Sequence, residues 1–161
     1  GASAAYVVPA DLSSAPTSKQ LIDKSLELLG GELDVLVLNH IRPFFGLFQE
    51  QTVNTLTEVI NVNLLSFVYL THYALPTLKQ SKIGGSLIAV SSVAGQMGVP
   101  YVTVYSASKH GLHGFFDSLR QELRMEYDAA SKAGKSVSPM CTVTTCVLGN
   151  IDTEGAKQVS C

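Results

Sequence analysis

Apolar and polar positions fall into two alternating textures along the chain: short apolar runs of strand length, and longer stretches with apolar residues at helical spacing. That alternation predicts an α/β domain on a parallel sheet. The first apolar run, Ala4 to Ala10, carries Pro9, which removes a ladder donor, so it is expected to be an edge strand. Pro16 then opens a helical pattern of Leu21, Ile22, Leu26 and Leu29, stopped by Gly30-Gly31. Leu33 to Leu38 reads as a parallel strand covered on both faces, ending in Asn39-His40. A loop containing Phe44, Phe45 and Phe48 leads into a long helix from about Thr57 to Leu78, with Pro76 expected to kink or end it.

Gly84-Gly85 opens a third strand, Ser86 to Val90, closed by Ser91-Ser92. A Gly- and Pro-containing loop separates it from a helix at about Val104 to Tyr127, whose apolar stripe is Leu112, Phe115, Phe116, Leu119 and Leu123. Ala129 to Ser136 reads as a loop, and Val137 to Leu148 as a last strand followed by Gly149 and Asn150-Ile151-Asp152-Thr153. Four strands and three helices are expected, in one domain over residues 1–161.

With 46% hydrophobic and 15% charged residues over 161 positions, the chain has the composition of a packed domain rather than a disordered tail. Eleven Lys and Arg against thirteen Asp and Glu leave a net charge of -2, so no basic field points to nucleic acid or anionic lipid. No apolar run of membrane-spanning length is evident. Cys141, Cys146 and Cys161 lack C-x-x-C spacing and read as reduced structural thiols, with no metal site.

Ligands of open α/β sheets bind beyond the carboxyl ends of the strands, which here are marked by Asp11, Asn39, Ser91-Ser92 and Asn150 to Thr153. Tyr105 and Lys109 stand four apart on a helix, so their side chains share a face one turn apart. An ammonium beside a phenol favours the phenolate, which equips a tyrosine for proton transfer near neutrality. Ser92 lies thirteen residues upstream at a strand end, where its hydroxyl could hold a substrate oxygen, and Asn63 interrupts the apolar helix between. Each has a plainer alternative. Asn63 could simply satisfy a neighbouring backbone group, Asp11 could be a turn or cap residue, and Ser91 reads as structural. His110 and His113 read as solvated or core-satisfied histidines rather than metal ligands, and the Leu112–Leu119 stripe as core packing.

Taken together, Leu38-Asn39-His40-Ile41, Val62-Asn63, Val90 to Gly95, Tyr105 to Lys109 and Leu148 to Thr153 resemble the short-chain dehydrogenase/reductase family over essentially the whole chain. Asn-His-Ile at 39–41, Ala74-Leu75-Pro76, Gly114-Phe115-Phe116 and Cys146 to Gly149 are similar to its 11β-hydroxysteroid dehydrogenase branch. The resemblance implies a Rossmann-type doubly wound parallel sheet and NADP(H)-dependent hydride transfer between a secondary alcohol and a ketone, with a steroid as substrate. It further implies a homodimer through the two long helices and a place in the endoplasmic reticulum membrane, with a cytoplasmic one as the alternative.

Carried over by position, Tyr105 would be the general acid/base and Lys109 would bind the ribose hydroxyls and favour the phenolate. Ser92, with Tyr105, would hold the substrate oxygen, and Asn63 would anchor a relay water. Asp11 and Leu12 would line the adenine, Asn39, His40 and Ile41 the adenine-ribose side, and Ile151, Asp152 and Thr153 the nicotinamide side.

The family's Gly-rich turn, T-G-x-x-x-G-x-G, is absent from this sequence. By the same comparison Gly1 corresponds to a point after the second strand. The first strand, its helix, the second strand and the carboxyl-terminal part are therefore expected to be missing, leaving Ala4 to Ala10 no native neighbour to pair with. Two further readings stand beside this one: a catalytically dead product that acts only as a dimerisation partner, and a sugar-nucleotide epimerase, which also uses a Tyr-x-x-x-Lys pair.

Overall fold

Helix α1 (Ala15–Leu28) starts where Pro16 supplies a preset helical φ and no surplus N–H. It ends where Gly30 takes φ 71°, which lets the Gly31 N–H return to the Leu26 carbonyl at 2.8 Å. The computed structural model describes residues 4–135 and 138–149. After α1 come strand β1 (Val35–Leu38), a 3-10 turn (Phe48–Glu50), helix α2 (Val53–Ile60), a π-helical turn (Asn61–Leu65) and helix α3 (Ser66–Leu78). Strand β2 (Ser86–Ser92), a 3-10 turn (Val93–Gly95), helix α4 (Thr103–Lys132) and strand β3 (Thr142–Leu148) complete the order.

The three strands are parallel and lie in chain order, β1-β2-β3. Their register aligns Leu36 with Leu87 and Val143, and Leu38 with Ala89 and Thr145. These rows face the helices: Leu38, Leu87, Ala89 and Val143 share one buried cluster with Ile22 of α1, Phe67, Leu70, Ala74 and Leu78 of α3, and Leu112 and Phe116 of α4. A sheet that grows in one direction through right-handed crossovers places every connecting helix on the same side. The opposite rows have no such cover among the described residues, and Val35 and Val37 are 50% and 55% exposed.

The parallel α/β sheet is thus the one expected, with four departures. Ala4 to Ala10 forms no strand; Val7 is 94% exposed, and the segment lacks a neighbouring strand to pair with. Strand β1 is covered on one face rather than two. Helix α4 continues through Lys132 into the expected loop, because Ala129-Ala130-Ser131-Lys132 favours helix without carrying an apolar period. Strand β3 starts at Thr142, after Pro139, which has no N–H for the ladder; Val137, where the strand was expected to begin, lies outside the described residues.

Helix α2, the π turn and α3 run on as one stretch, Val53–Leu78, long and apolar enough to cross a bilayer by length and composition, which the sequence pattern did not suggest. Here its apolar face packs on the sheet through Phe67, Leu70, Ala74 and Leu78. Pro76 sits inside α3, which ends two residues later.

Candidate active site

The carboxyl ends of β1 and β2, the π turn and the first turns of α4 meet around Lys109. The Lys109 side chain is 3% exposed, and its Nζ donates to the Val90 carbonyl at 2.9 Å. Nζ also lies 5.1 Å from the centroid of Phe67 and 5.7 Å from that of Tyr105, within cation–π reach of both rings. Among the described residues no carboxylate pairs with it. Burial without a counter-charge pushes its pKa down to about 8.

Tyr105 is half-buried in the first turn of α4, so its phenol stays reachable while Lys109 is enclosed one turn further on. Ser92 closes β2 and caps the following turn, its Oγ accepting from the Ala94 N–H at 3.2 Å. That turn is pressed onto α4. A Cβ on Gly95 would stand 2.9 Å from the Lys109 carbonyl and 2.9 Å from His113 Cδ2.

Asn63 lies fully buried in the π turn, and its carboxamide clasps the main chain of Arg42 through both groups. The plainer expectation for Asn63, a buried amide satisfying backbone, is therefore what its side chain does. Beside it, Leu64 packs so closely on α4 that a Cβ on Gly111 would meet Leu64 Cδ2 at 2.9 Å.

His40, just past β1, places Nε2 2.5 Å from Ser66 Oγ. The Ser66 hydroxyl also reaches the Val62 carbonyl at 2.6 Å, and when it donates there the imidazole N–H is the donor to Ser66. Burial, and secondarily the charge of Lys109, pushes the His40 pKa down to about 4. The ring packs on Phe67 at 4.4 Å between centroids, so His40 and Lys109 share contact with the same phenyl ring.

His40, Tyr105 and Lys109 thus come together around Phe67, with Ser92 two residues beyond the carbonyl that Lys109 holds and Asn63 in the π turn bound to Arg42. Leu12, Asn39 and His40 border a groove of about 470 Å³ between α1 and β1. Asn39 and Ile41 are exposed. Asp11 is exposed too and behaves as a turn residue: its Oδ1 accepts from the Ser13 N–H at 2.9 Å, which lowers its pKa. Ile151, Asp152 and Thr153 lie outside the described residues. His110 binds the Ser106 carbonyl through Nδ1 and His113 binds Ser91 through Nε2, the satisfied roles expected of them. Ser66 and Phe67 escaped the sequence reading as site residues, since neither carries a signal beyond its place on an apolar helix.

The family model described as short chain dehydrogenase matches residues 2–160. The hydroxysteroid 11-beta-dehydrogenase 1-like protein of Xenopus tropicalis is 41% identical over 160 residues, covering 98% of this chain and 50% of that protein. Its namesake from Gallus gallus is 41% identical over 162 residues, with the same coverage of 98% and 50%. The chain therefore spans about half the length of these relatives. Among solved structures, an alcohol dehydrogenase from Thermococcus sibiricus complexed with 5-hydroxy-NADP superposes with a TM-score of 0.73 at 23% identity, covering 89% of this chain and 54% of that one. A short chain dehydrogenase/reductase from Burkholderia phymatum in complex with NAD gives 0.74 at 22% identity, covering 94% and 50%. At such identities these two structures speak for the fold, while the family match speaks for ancestry: the chain belongs to the short chain dehydrogenases.

Proposed function

We propose that residues 1–161 form one partial dinucleotide-binding domain that carries the proton-transfer machinery of an NADP(H)-dependent oxidoreductase, one that interconverts a secondary alcohol and a ketone on a hydroxysteroid. The observation that carries this reading is Lys109: a buried ammonium with no carboxylate partner among the described residues, one turn from a reachable phenol. Burying an unpaired charge costs free energy, and a fold tolerates that where the charge has work to do.

The residues fit one side of a nicotinamide dinucleotide. Lys109 uses one donor on Val90, so its other N–H groups suit vicinal ribose hydroxyls, and the groove at Leu12, Asn39 and His40 suits an adenosine. Asp11 and Ile41 would border that adenosine side, and Ile151, Asp152 and Thr153 the nicotinamide side. When bound, the cofactor supplies or accepts the hydride.

In reduction, the Tyr105 hydroxyl donates its proton to the substrate oxygen as negative charge builds there, and the Ser92 hydroxyl donates a hydrogen bond to the same oxygen. In oxidation the phenolate takes the alcohol proton. Lys109 favours that phenolate and orients the ribose, while Asn63, with its side chain committed to Arg42, fixes the π turn along which a relay water would sit. The segment joining Ser92 to Tyr105 exposes Met97, Val99 and Tyr101, and Tyr101 meets Phe45 at 5.4 Å between centroids, an apolar surround that suits a steroid.

The relatives' names support the hydroxysteroid; the endoplasmic reticulum placement rests on the family resemblance alone, and α3 and α4 would supply the dimer contact. The deciding experiment is steroid turnover with NADPH or NADP⁺ by the complete protein that contains this chain. Tyr105→Phe is expected to lower kcat by about 100-fold or more with little change in cofactor affinity. Retained turnover would refute the role given to Tyr105.

A further inference from the structure

Two consecutive residues of β2 are tied to two consecutive turns of α4. Val90 accepts from Lys109 Nζ at 2.9 Å, and the next residue, Ser91, places Oγ 3.0 Å from His113 Nε2. Lys109 and His113 are four apart and so share the face of α4 that meets the strand. Ser91 is 3% exposed, which makes this a buried polar contact rather than a surface one. The space for the imidazole is left by Gly95, where a Cβ would stand 2.9 Å from His113 Cδ2 and 3.0 Å from its Nε2. A hydrogen bond with its own cut-out in the following turn, immediately before Ser92, is fixed in more than one direction.

We propose that His113 is a positioning residue: through Ser91 it sets the distance between the strand that ends in Ser92 and the helix that carries Tyr105 and Lys109, and so keeps the Lys109 ammonium enclosed. Its value for turnover rests on the oxidoreductase reading above; the clamp itself does not.

The enclosure can be read without cofactor or substrate. In the 161-residue chain carrying ¹³C-labelled lysine, Lys109 should titrate near pH 8, well below the ordinary lysine value of 10.5. Removing the clamp by Ser91→Ala, or by His113→Leu, lets water reach Nζ and should move the Lys109 midpoint toward 10.5 by about one pH unit or more. His113→Gln, whose amide places a donor and acceptor near the Nε2 position, should keep it near the wild-type value. Thermal melts accompany each variant, and Ser91→Ala, which removes a single oxygen, decides the matter if the leucine variant does not fold. A folded Ser91→Ala chain with an unmoved Lys109 midpoint overturns the proposal, as does a glutamine variant that shifts as far as leucine. Failure of steroid turnover in the complete protein would leave these midpoints untouched, so the two readings fail separately.

Discussion

Asn63 and Arg42 are joined at both ends of a carboxamide: the Arg42 N–H donates to Asn63 Oδ1 at 2.7 Å, and Asn63 Nδ2 donates to the Arg42 carbonyl at 2.8 Å. The pair ties the loop after β1 to the π turn, and so ties the groove at Asn39 and His40 to the helix that carries Ser66 and Phe67.

Asn63→Leu should therefore destabilise the chain by about 2–4 kcal/mol, because two main-chain groups lose their partner and an apolar side chain cannot replace it. Urea denaturation measures it. A loss under about 0.5 kcal/mol, the size of an ordinary surface change, would show that water satisfies Arg42 equally well.

Lys109→Met should stabilise the chain at neutral pH while removing the proposed chemistry. In the folded protein the lysine pKa lies near 8 against an ordinary 10.5, so the unfolded chain holds the extra proton between these values, and stability rises as pH climbs through that window. Below pH 8 the full cost of the buried charge is present, and methionine should relieve about 1–3 kcal/mol of it. At the acid end His40 works in the same direction: its pKa lies near 4 against an ordinary 6.5, so stability falls as pH drops through that interval. Urea midpoints taken from pH 4 to 10 check both slopes, and a methionine variant that keeps the alkaline rise would locate the effect elsewhere.

Purified as 161 residues, the chain should bind NADPH weakly or not at all, because the sequence holds no T-G-x-x-x-G-x-G turn to receive a pyrophosphate on main-chain N–H groups. Cofactor fluorescence titration decides it, and micromolar binding would contradict it.

How much of this was legible in sequence follows the range of each interaction. Tyr105 with Lys109 is a local pair, set by helical spacing, and Ser86 to Val90 reads as a strand from its apolar run between Gly84-Gly85 and Ser91-Ser92, which the structure extends to Ser92. The His40–Ser66 contact joins residues 26 positions apart on elements whose approach no periodicity encodes. The π turn at Asn61–Leu65 was visible only as an asparagine in an apolar stretch, since its widened ladder depends on what Asn63 meets across the loop. Ala4 to Ala10 misled for the converse reason: an apolar run is necessary for a strand, and a pairing neighbour is what makes it one.

The order of the sheet bears on how the site comes into being. Each strand pairs with the next one in the sequence, so each parallel pairing closes the shortest loop the crossover permits. Asn63, Ser92, Tyr105 and Lys109 all lie between the start of β1 and the end of α4. Assembly from the amino-terminal side can thus set these four side chains in place before β3 is laid on the sheet, and the last strand then locks an arrangement already made.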